Sequence, residues 1–154
     1  GTPGISDPGF LLTRECRREG IEVETLPGPT AFVPALVNSG LPTDRFTFEG
    51  FLPPKKGRQT RIDRIAASDC TSIVYESPLR LVKTLEQFAE ACGRDRAASV
   101  SREISKLHNT TVNGTLGELV EYFGQNIPRG EIVIVIGAQE SAGPKVHKNK
   151  YKDA

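Results

Sequence analysis

The sequence predicts an α/β fold, in which helices flank a sheet. The chain opens with a loop, a helix and a strand, which is half of a β-α-β unit and favours parallel strand pairing. Residues 130–137 are a nearly continuous run of β-branched side chains, typical of a strand buried on both faces. Residues 81–92 carry apolar side chains at the spacing i, i+4, i+7, i+8 and i+11, which indicates a helix with one buried face.

Composition restricts the class of protein. The 154 residues suit one domain, or one domain with part of another, and 37% hydrophobic with 25% charged residues is typical of a soluble globular protein. No apolar run approaches the roughly 18 residues of a membrane span, so we expect no signal peptide and no membrane partner. The three cysteines lack C-x-x-C spacing, which argues against a disulfide framework or zinc site and favours a reducing, cytoplasmic location.

Two observations predict the domain organisation. The chain has no methionine and begins at a glycine inside a loop motif, so we expect a piece of a longer protein. Its character changes near residues 38–44, where we place a boundary between segments 1–40 and 41–140. Residues 141–154 hold lysines and little apolar surface, which predicts a disordered basic tail.

The opening loop, residues 1–9, contains three glycines and two prolines. Such a segment makes a stiff loop whose remaining N–H groups can face a cleft, although a simple turn before a helix is an equal alternative. A helix then follows over Pro8–Glu19 and ends at Gly20. Alternation of apolar and polar residues predicts a short strand over Ile21–Leu26.

A second Pro/Gly turn, residues 26–31, precedes an apolar helix through Phe32 and Leu36. Local composition favours a tight turn, and the functional alternative is a second backbone wall of the same pocket.

A basic cluster follows the strand predicted over residues 45–51. Five cations fall within ten residues against one anion, Asp63: Lys55, Lys56, Arg58, Arg61 and Arg64. Most such runs are solvated helix faces, but in a chain of net charge +1 this clustering favours a phosphate-binding patch. The helix behind the cluster is predicted to bury Ile62, Ile65 and Ala66.

Polar clusters follow two predicted strands, residues 71–75 and 97–102. The first is Glu76-Ser77, and the second is Arg102-Glu103 with Lys106. Thr115 with Glu118 forms a capping box for a further helix. The sequence offers no Ser-His-Asp set, Cys-His pair or metal-ligand spacing, so we expect a reaction that depends on positioning, such as group transfer from a bound cofactor.

Six blocks, in order, resemble the tetrapyrrole methylase superfamily over roughly residues 1–138. They are Gly1–Gly9, Leu26–Ala31, Gly50–Pro53 with Lys55–Arg58, Tyr75–Pro78, Arg102–Lys106 and Gly130–Val133. Within the superfamily they are similar to the branch that methylates a cytidine 2′-hydroxyl of 16S ribosomal RNA. The chain departs from that pattern at Leu79 and Asn109, where the family has His and Glu.

The resemblance implies two α/β domains with S-adenosyl-L-methionine between them, and a homodimer. This chain would hold the end of the first domain and all of the second, which has a mixed sheet flanked by helices. The cofactor-binding residues implied are Thr2, Pro3, Gly4, Ile5, Ser6, Thr30, Ala31, Tyr75 and Glu76.

The resulting hypothesis is methyl transfer to a ribose 2′-oxygen of 16S ribosomal RNA in the small ribosomal subunit. Glu76, Glu103 and Lys106 are the candidates for assisting catalysis, and Lys55, Lys56, Arg58 and Arg61 would hold RNA phosphates. The alternatives are a tetrapyrrole or other small-molecule methylase, and a non-catalytic RNA-binding or dimerisation module.

Overall fold

The computed structural model describes residues 1–140. In chain order, its elements are α1 (Phe10–Arg18), α2 (Phe32–Asn38), β1 (Phe46–Phe51), α3 (Arg58–Ala66), β2 (Thr71–Glu76), α4 (Leu81–Cys92), β3 (Ala97–Arg102), β4 (Thr110–Thr115), α5 (Leu116–Gln125) and β5 (Ile132–Ile136). The predicted disordered tail, residues 141–154, lies outside the described residues. No helix within residues 1–140 has the length and apolar character needed to cross a bilayer.

The five strands form one mixed sheet in the order β1-β2-β5-β3-β4. β1 and β2 are parallel, whereas β5 runs antiparallel to both β2 and β3. β2 and β3 therefore point the same way, and their carboxyl ends meet the amino end of β5 at one edge of the sheet. In this register Glu76 and Arg102 both pair with Ile132.

Helices cover both faces of the sheet. Ile132, Ile134 and Ile136 belong to a large core formed with α3, α4 and α5. Val133 and Val135, which alternate with them, belong to a second core beneath α2. All five residues of β5 are buried, which confirms the prediction of a strand buried on both faces.

Local signals located most of the other elements correctly. α4 buries Leu81, Leu85, Phe88 and Ala89, as the helical spacing predicts. α5 begins at the predicted capping box: the Thr115 hydroxyl accepts from the Glu118 N–H, and the Glu118 carboxylate accepts from the Thr115 N–H. The predicted α/β class with a mixed sheet is confirmed.

One strand prediction was wrong, and one strand was missed. Ile21–Leu26 is irregular backbone, and Ile21, Val23 and Leu26 are exposed. Alternation of apolar and polar residues indicates a segment that could pair with a neighbouring strand. None of the five strands in residues 1–140 pairs with this segment, so it forms no strand. Conversely, β4 was not anticipated, because its polar sequence gives no alternation and its pairing with β3 stabilises it.

The sequence prediction assigned α2 to segment 1–40, yet this helix packs against the sheet of the following segment. Ala35 and Leu36 are buried against Ile73, Val133 and Val135. The domain boundary near residues 38–44 stays a prediction.

Candidate functional site

A cavity of about 560 Å³ lies at the edge of the sheet where β2 ends and β5 begins. Its volume is within the range of small-molecule sites. Its walls come from the opening loop, from the second Pro/Gly turn and from the sheet edge: Gly1, Thr2, Ile5, Ser6, Asp7, Thr30, Ala31, Phe51, Tyr75, Glu76, Ser77, Pro78, Gly130, Glu131, Ile132 and Val133.

The two Pro/Gly segments wall the same cavity because polar contacts hold them together. The Thr2 hydroxyl forms a hydrogen bond with that of Thr30, and it lies 3.4 Å from the carbonyl oxygens of Gly28 and Pro29. On its other side the opening loop meets the bulge of β1, where a Cβ added at Gly50 would stand 3.3 Å from the Ser6 hydroxyl oxygen. The second Pro/Gly turn therefore forms a wall of the same cavity as the opening loop, which is the functional alternative given for it above.

The residues predicted to bind cofactor are brought together here, with Pro3 and Gly4 as the exceptions. Phe51 and residues 130–133 also line the cavity, and the sequence analysis did not assign them to it. Phe51 ends β1 beside Tyr75, and Ile132 pairs with Glu76. Strand pairing between distant segments determines both placements, and only the family-like block at Gly130–Val133 signalled one of them.

The charged side chains among the lining residues are all acidic: Asp7, Glu76 and Glu131. Glu76 is paired with Arg80 and Arg58, and Glu131 is paired with Lys106. Asp7 is the lining carboxylate that takes part in no ion pair among residues 1–140. Tyr75 adds an aromatic wall, its ring meeting Phe51 edge-on at 5.7 Å between centroids. Burial raises the pKa of the Tyr75 phenol, so the hydroxyl stays protonated at neutral pH.

The Glu76 carboxylate lies beneath the cavity wall, with its side chain 1% exposed. Oε1 accepts from the Ser77 N–H at 2.7 Å and from Arg80 Nε at 3.0 Å. Oε2 accepts from the Thr84 hydroxyl at 2.7 Å and lies 3.6 Å from Arg58 Nη2. These contacts hold the carboxylate in the fold, which supports a structural part for Glu76, and its assistance to catalysis stays a prediction.

Glu103 and Lys106 form a cluster with Glu131 at the rim. Glu103 Oε1 accepts from the Glu131 N–H at 2.8 Å, and Lys106 Nζ lies 3.0 Å from both carboxylates. The Glu131 N–H and the Lys106 ammonium lower the pKa of Glu103, and the two carboxylates raise the pKa of Lys106. Both groups are therefore charged at neutral pH, and neither lines the cavity itself. Their catalytic roles stay predictions.

The basic cluster divides into two groups. Arg58 is 12% exposed and contacts Glu76, while Arg61 and Arg64 both bind the Glu49 carboxylate, at 2.8 and 2.6 Å. Lys55 and Lys56 are exposed and take part in no ion pair among residues 1–140. The two lysines are therefore free to contact RNA, whereas the Arg58 guanidinium is engaged within the fold. The assignment of RNA phosphates to Lys55, Lys56, Arg58 and Arg61 stays a prediction.

Within residues 1–140, no group of three or more His, Cys, Asp or Glu side chains is arranged to hold a metal ion. The site offers loop backbone, hydroxyls, aromatic rings and carboxylates, which suit an organic ligand.

The sequence pattern of the family Tetrapyrrole (Corrin/Porphyrin) Methylases matches residues 1–120. The chain is 43% identical over 155 residues to ribosomal RNA small subunit methyltransferase I of Synechocystis, covering 99% of this chain and 56% of that protein. It is 41% identical over 140 residues to the protein of the same name from Thermotoga maritima, covering 91% of this chain and 63% of that protein. The chain thus spans about half to two thirds of the length of these curated relatives.

Solved structures share the fold. The cobalamin biosynthetic enzyme cobalt precorrin-4 methyltransferase, CbiF, superposes with a TM-score of 0.67 at 19% identity, covering 89% of this chain and 61% of that one. Uroporphyrin-III C-methyltransferase from Thermus thermophilus, complexed with S-adenyl homocysteine, gives a TM-score of 0.61 at 22% identity, covering 89% and 62%. At these identities the likeness establishes the fold alone.

Proposed function

Because the chain belongs to the tetrapyrrole methylase family, we propose that it is part of an S-adenosyl-L-methionine-dependent methyltransferase acting on ribosomal RNA. The substrate we propose is the ribose 2′-hydroxyl of a cytidine in 16S ribosomal RNA, within the small ribosomal subunit. The observation that carries this proposal is the cavity at the sheet edge, walled by both Pro/Gly segments, in a chain 43% identical to a protein named for that reaction class.

The residues present fit the proposed cofactor. S-adenosyl-L-methionine carries a positive sulfonium, and the Asp7 carboxylate in the cavity lining could face it. Ile5, Phe51 and Tyr75 provide apolar surface for a nucleoside, while the Thr2 and Thr30 hydroxyls and the loop backbone provide polar contacts. When bound, the cofactor supplies a methyl group already activated for transfer.

The chain's own residues then have to position the cofactor and the ribose, exclude water from the cavity and accept the proton of the 2′-hydroxyl. The bond between Thr2 and Thr30 fixes the two loop walls relative to each other. Phe51 and Tyr75 line the cavity with two aromatic rings that meet edge-on, which would cover part of a bound nucleoside. Holding a cofactor and a hydroxyl in line can supply about 7–11 kcal/mol of barrier lowering, so alignment accounts for much of the catalysis.

Assistance with the proton is proposed for the rim cluster of Glu103, Lys106 and Glu131. Glu131 lines the cavity with an 84% exposed side chain, and Lys106 holds its carboxylate at 3.0 Å. Glu76 would support this chemistry from below the wall without touching the substrate.

RNA would reach the cavity along the same edge of the sheet. Lys55 and Lys56 follow β1, whose end at Phe51 forms part of the cavity wall. Contacts from such lysines to phosphates position an RNA without reading its sequence. Arg61 would also contact RNA phosphates, because its side chain is 35% exposed although its guanidinium is paired with Glu49.

The wider organisation is proposed with the function. We propose a cytoplasmic homodimer with two domains, residues 1–40 ending the first and residues 41–140 forming the second. The exposed apolar side chains of α1, namely Phe10, Leu11 and Leu12, support association of the first segment with further protein surface.

Transfer of a labelled methyl group tests the proposed reaction. The chain is incubated with methyl-labelled S-adenosyl-L-methionine and small ribosomal subunits, and the RNA is digested to nucleosides. We expect label in 2′-O-methylcytidine. Label that appears only when a uroporphyrinogen replaces the RNA would support the small-molecule alternative, and label in neither acceptor would contradict methyl transfer by this chain.

A further inference from the structure

A polar network runs from Arg58, the first residue of α3, through Thr84 in the N-terminal part of α4 to the cavity wall. We propose that Thr84 and Arg58 are positioning residues, which hold the wall Tyr75–Pro78 in the shape that binds the cofactor. The inference rests on the proposed function, because it assigns these residues to the same cavity.

Thr84 is the centre of the network. It is fully buried, its hydroxyl donates to Glu76 Oε2 at 2.7 Å, and it accepts from Arg58 Nη2 at 2.7 Å. The direct separation of Arg58 Nη2 from Glu76 Oε2 is 3.6 Å, longer than an ordinary hydrogen bond. The threonine hydroxyl therefore bridges an acid and a base that do not meet at hydrogen-bonding distance.

Two further hydrogen bonds fix Arg58 beside this bridge. Its Nε donates to the Gln87 side-chain oxygen at 2.9 Å, and its Nη1 donates to the Pro53 carbonyl at 3.3 Å. The guanidinium thus joins α4, the loop after β1 and the end of β2. A surface cation would not need such partners, and an exposure of 12% would be costly for a charge without them.

The network ends in the cavity wall. The Glu76 carboxylate, which receives the Thr84 hydroxyl on one oxygen, receives the Ser77 N–H on the other. Ser77 and Pro78 line the cavity, and Glu76 pairs with the lining residue Ile132. Rotation of the carboxylate would release the Ser77 N–H and change the path of the chain where β2 leaves the sheet.

Loss of the Thr84 hydroxyl would leave Arg58 Nη2 without an acceptor and Glu76 Oε2 without a donor. The protein would recover these bonds by moving the Glu76 carboxylate toward Arg58, since an unsatisfied buried charge is costly. That movement takes the carboxylate away from the Ser77 N–H, so the effect should be greatest at the wall.

The test compares three variants of the chain by calorimetric titration with S-adenosylhomocysteine. Thr84→Val removes the hydroxyl at nearly constant volume, and Thr84→Ser restores it. Thr71→Val is the matched control, because Thr71 is also fully buried and its hydroxyl donates to the Pro42 carbonyl at 2.8 Å, at the opposite end of β2. Urea unfolding of each variant measures its stability.

We expect T84V to raise the Kd about tenfold, which equals about 1.4 kcal/mol, with T84S and T71V close to the parent chain. Hydrogen exchange of the Ser77 amide should be faster in T84V and unchanged in T71V. If the parent binds and T84V binds as tightly as T71V does, the inference is overturned while the proposed cofactor site stands. If the parent chain does not bind S-adenosylhomocysteine, the proposed function is contradicted. The positioning role is tested separately by hydrogen exchange, and an unchanged exchange rate of the Ser77 amide in T84V overturns it.

Discussion

Lys56 and Arg58 are separated by one residue in the chain but have opposite environments. Lys56 is exposed, whereas the Arg58 guanidinium is largely covered, at 12% exposure, by Thr84, Gln87 and Glu76. The difference arises because Gly57, with a φ of +82°, ends the loop and starts α3, so that Arg58 turns inward toward α4. The basic residues are adjacent in sequence, but in the structure the lysines lie on the surface and the Arg58 guanidinium packs inside the fold.

This division predicts how RNA binding depends on salt. Lys55→Ala and Lys56→Ala should each reduce the slope of log Kd against log salt by about 0.7–0.9, because each removes one phosphate contact. Together they should reduce it about twice as much. The measurement is a salt titration of binding to a small-subunit RNA fragment.

Arg45→Ala supplies the control for overall charge. Arg45 is 62% exposed and precedes β1, so the substitution removes one positive charge at the end of β1 that is far from the cavity. A salt slope that falls as much in R45A as in K55A would contradict a local RNA contact at the lysines.

At the scale of elements, the amount that could be predicted depended on how local the determining interactions are. α5 was located by its capping box and α4 by its apolar spacing, since both signals lie within the helix itself. β4 was missed and Ile21–Leu26 was wrongly predicted as a strand, because a strand depends on a neighbour that the local sequence does not contain. The same limit hid the contribution of β5 to the cavity, which depends on its pairing with β2.

The turn before β5 is a second place where an element depends on a distant one. Gly130 has a φ of +91°, and a Cβ there would stand 2.1 Å from Glu103 Oε1. Glu103 itself has a φ of +51° and holds the Glu131 N–H. A side chain at position 130 would therefore displace the Glu103 carboxylate from the Glu131 N–H and from Lys106.

Gly130→Ala should destabilise the chain by more than Gly57→Ala in urea unfolding. Both substitutions place alanine at positive φ, at a cost of about 1–2 kcal/mol, but the Cβ at Gly57 meets no atom within 4 Å. The excess at Gly130 should disappear in the Glu103→Ala background, since the carboxylate is what the new Cβ meets. Equal losses in G130A and G57A would contradict the close packing of these two turns.

At the scale of the whole molecule, the antiparallel placement of β5 between β2 and β3 brings the functional segments together. Turns that lie far apart in the chain, around Ser6, Thr30, Glu76 and Glu131, meet at one edge of the sheet. The Pro/Gly composition of the first two segments and their family-like blocks were visible in the sequence. Their meeting in one cavity, and the use of Glu76 as a support beneath it, follow from the topology and from side-chain packing.

The central claim is that this cavity binds the methyl-donor cofactor, and calorimetric titration with S-adenosylhomocysteine tests it most directly. Ala31→Trp would fill the cavity from the start of α2, and Val37→Trp, at a 64% exposed position of the same helix, is the matched control. We predict one-to-one binding by the parent chain and by V37W, and loss of binding by A31W. Absence of binding by the parent chain, or equal binding by A31W and V37W, would contradict the claim.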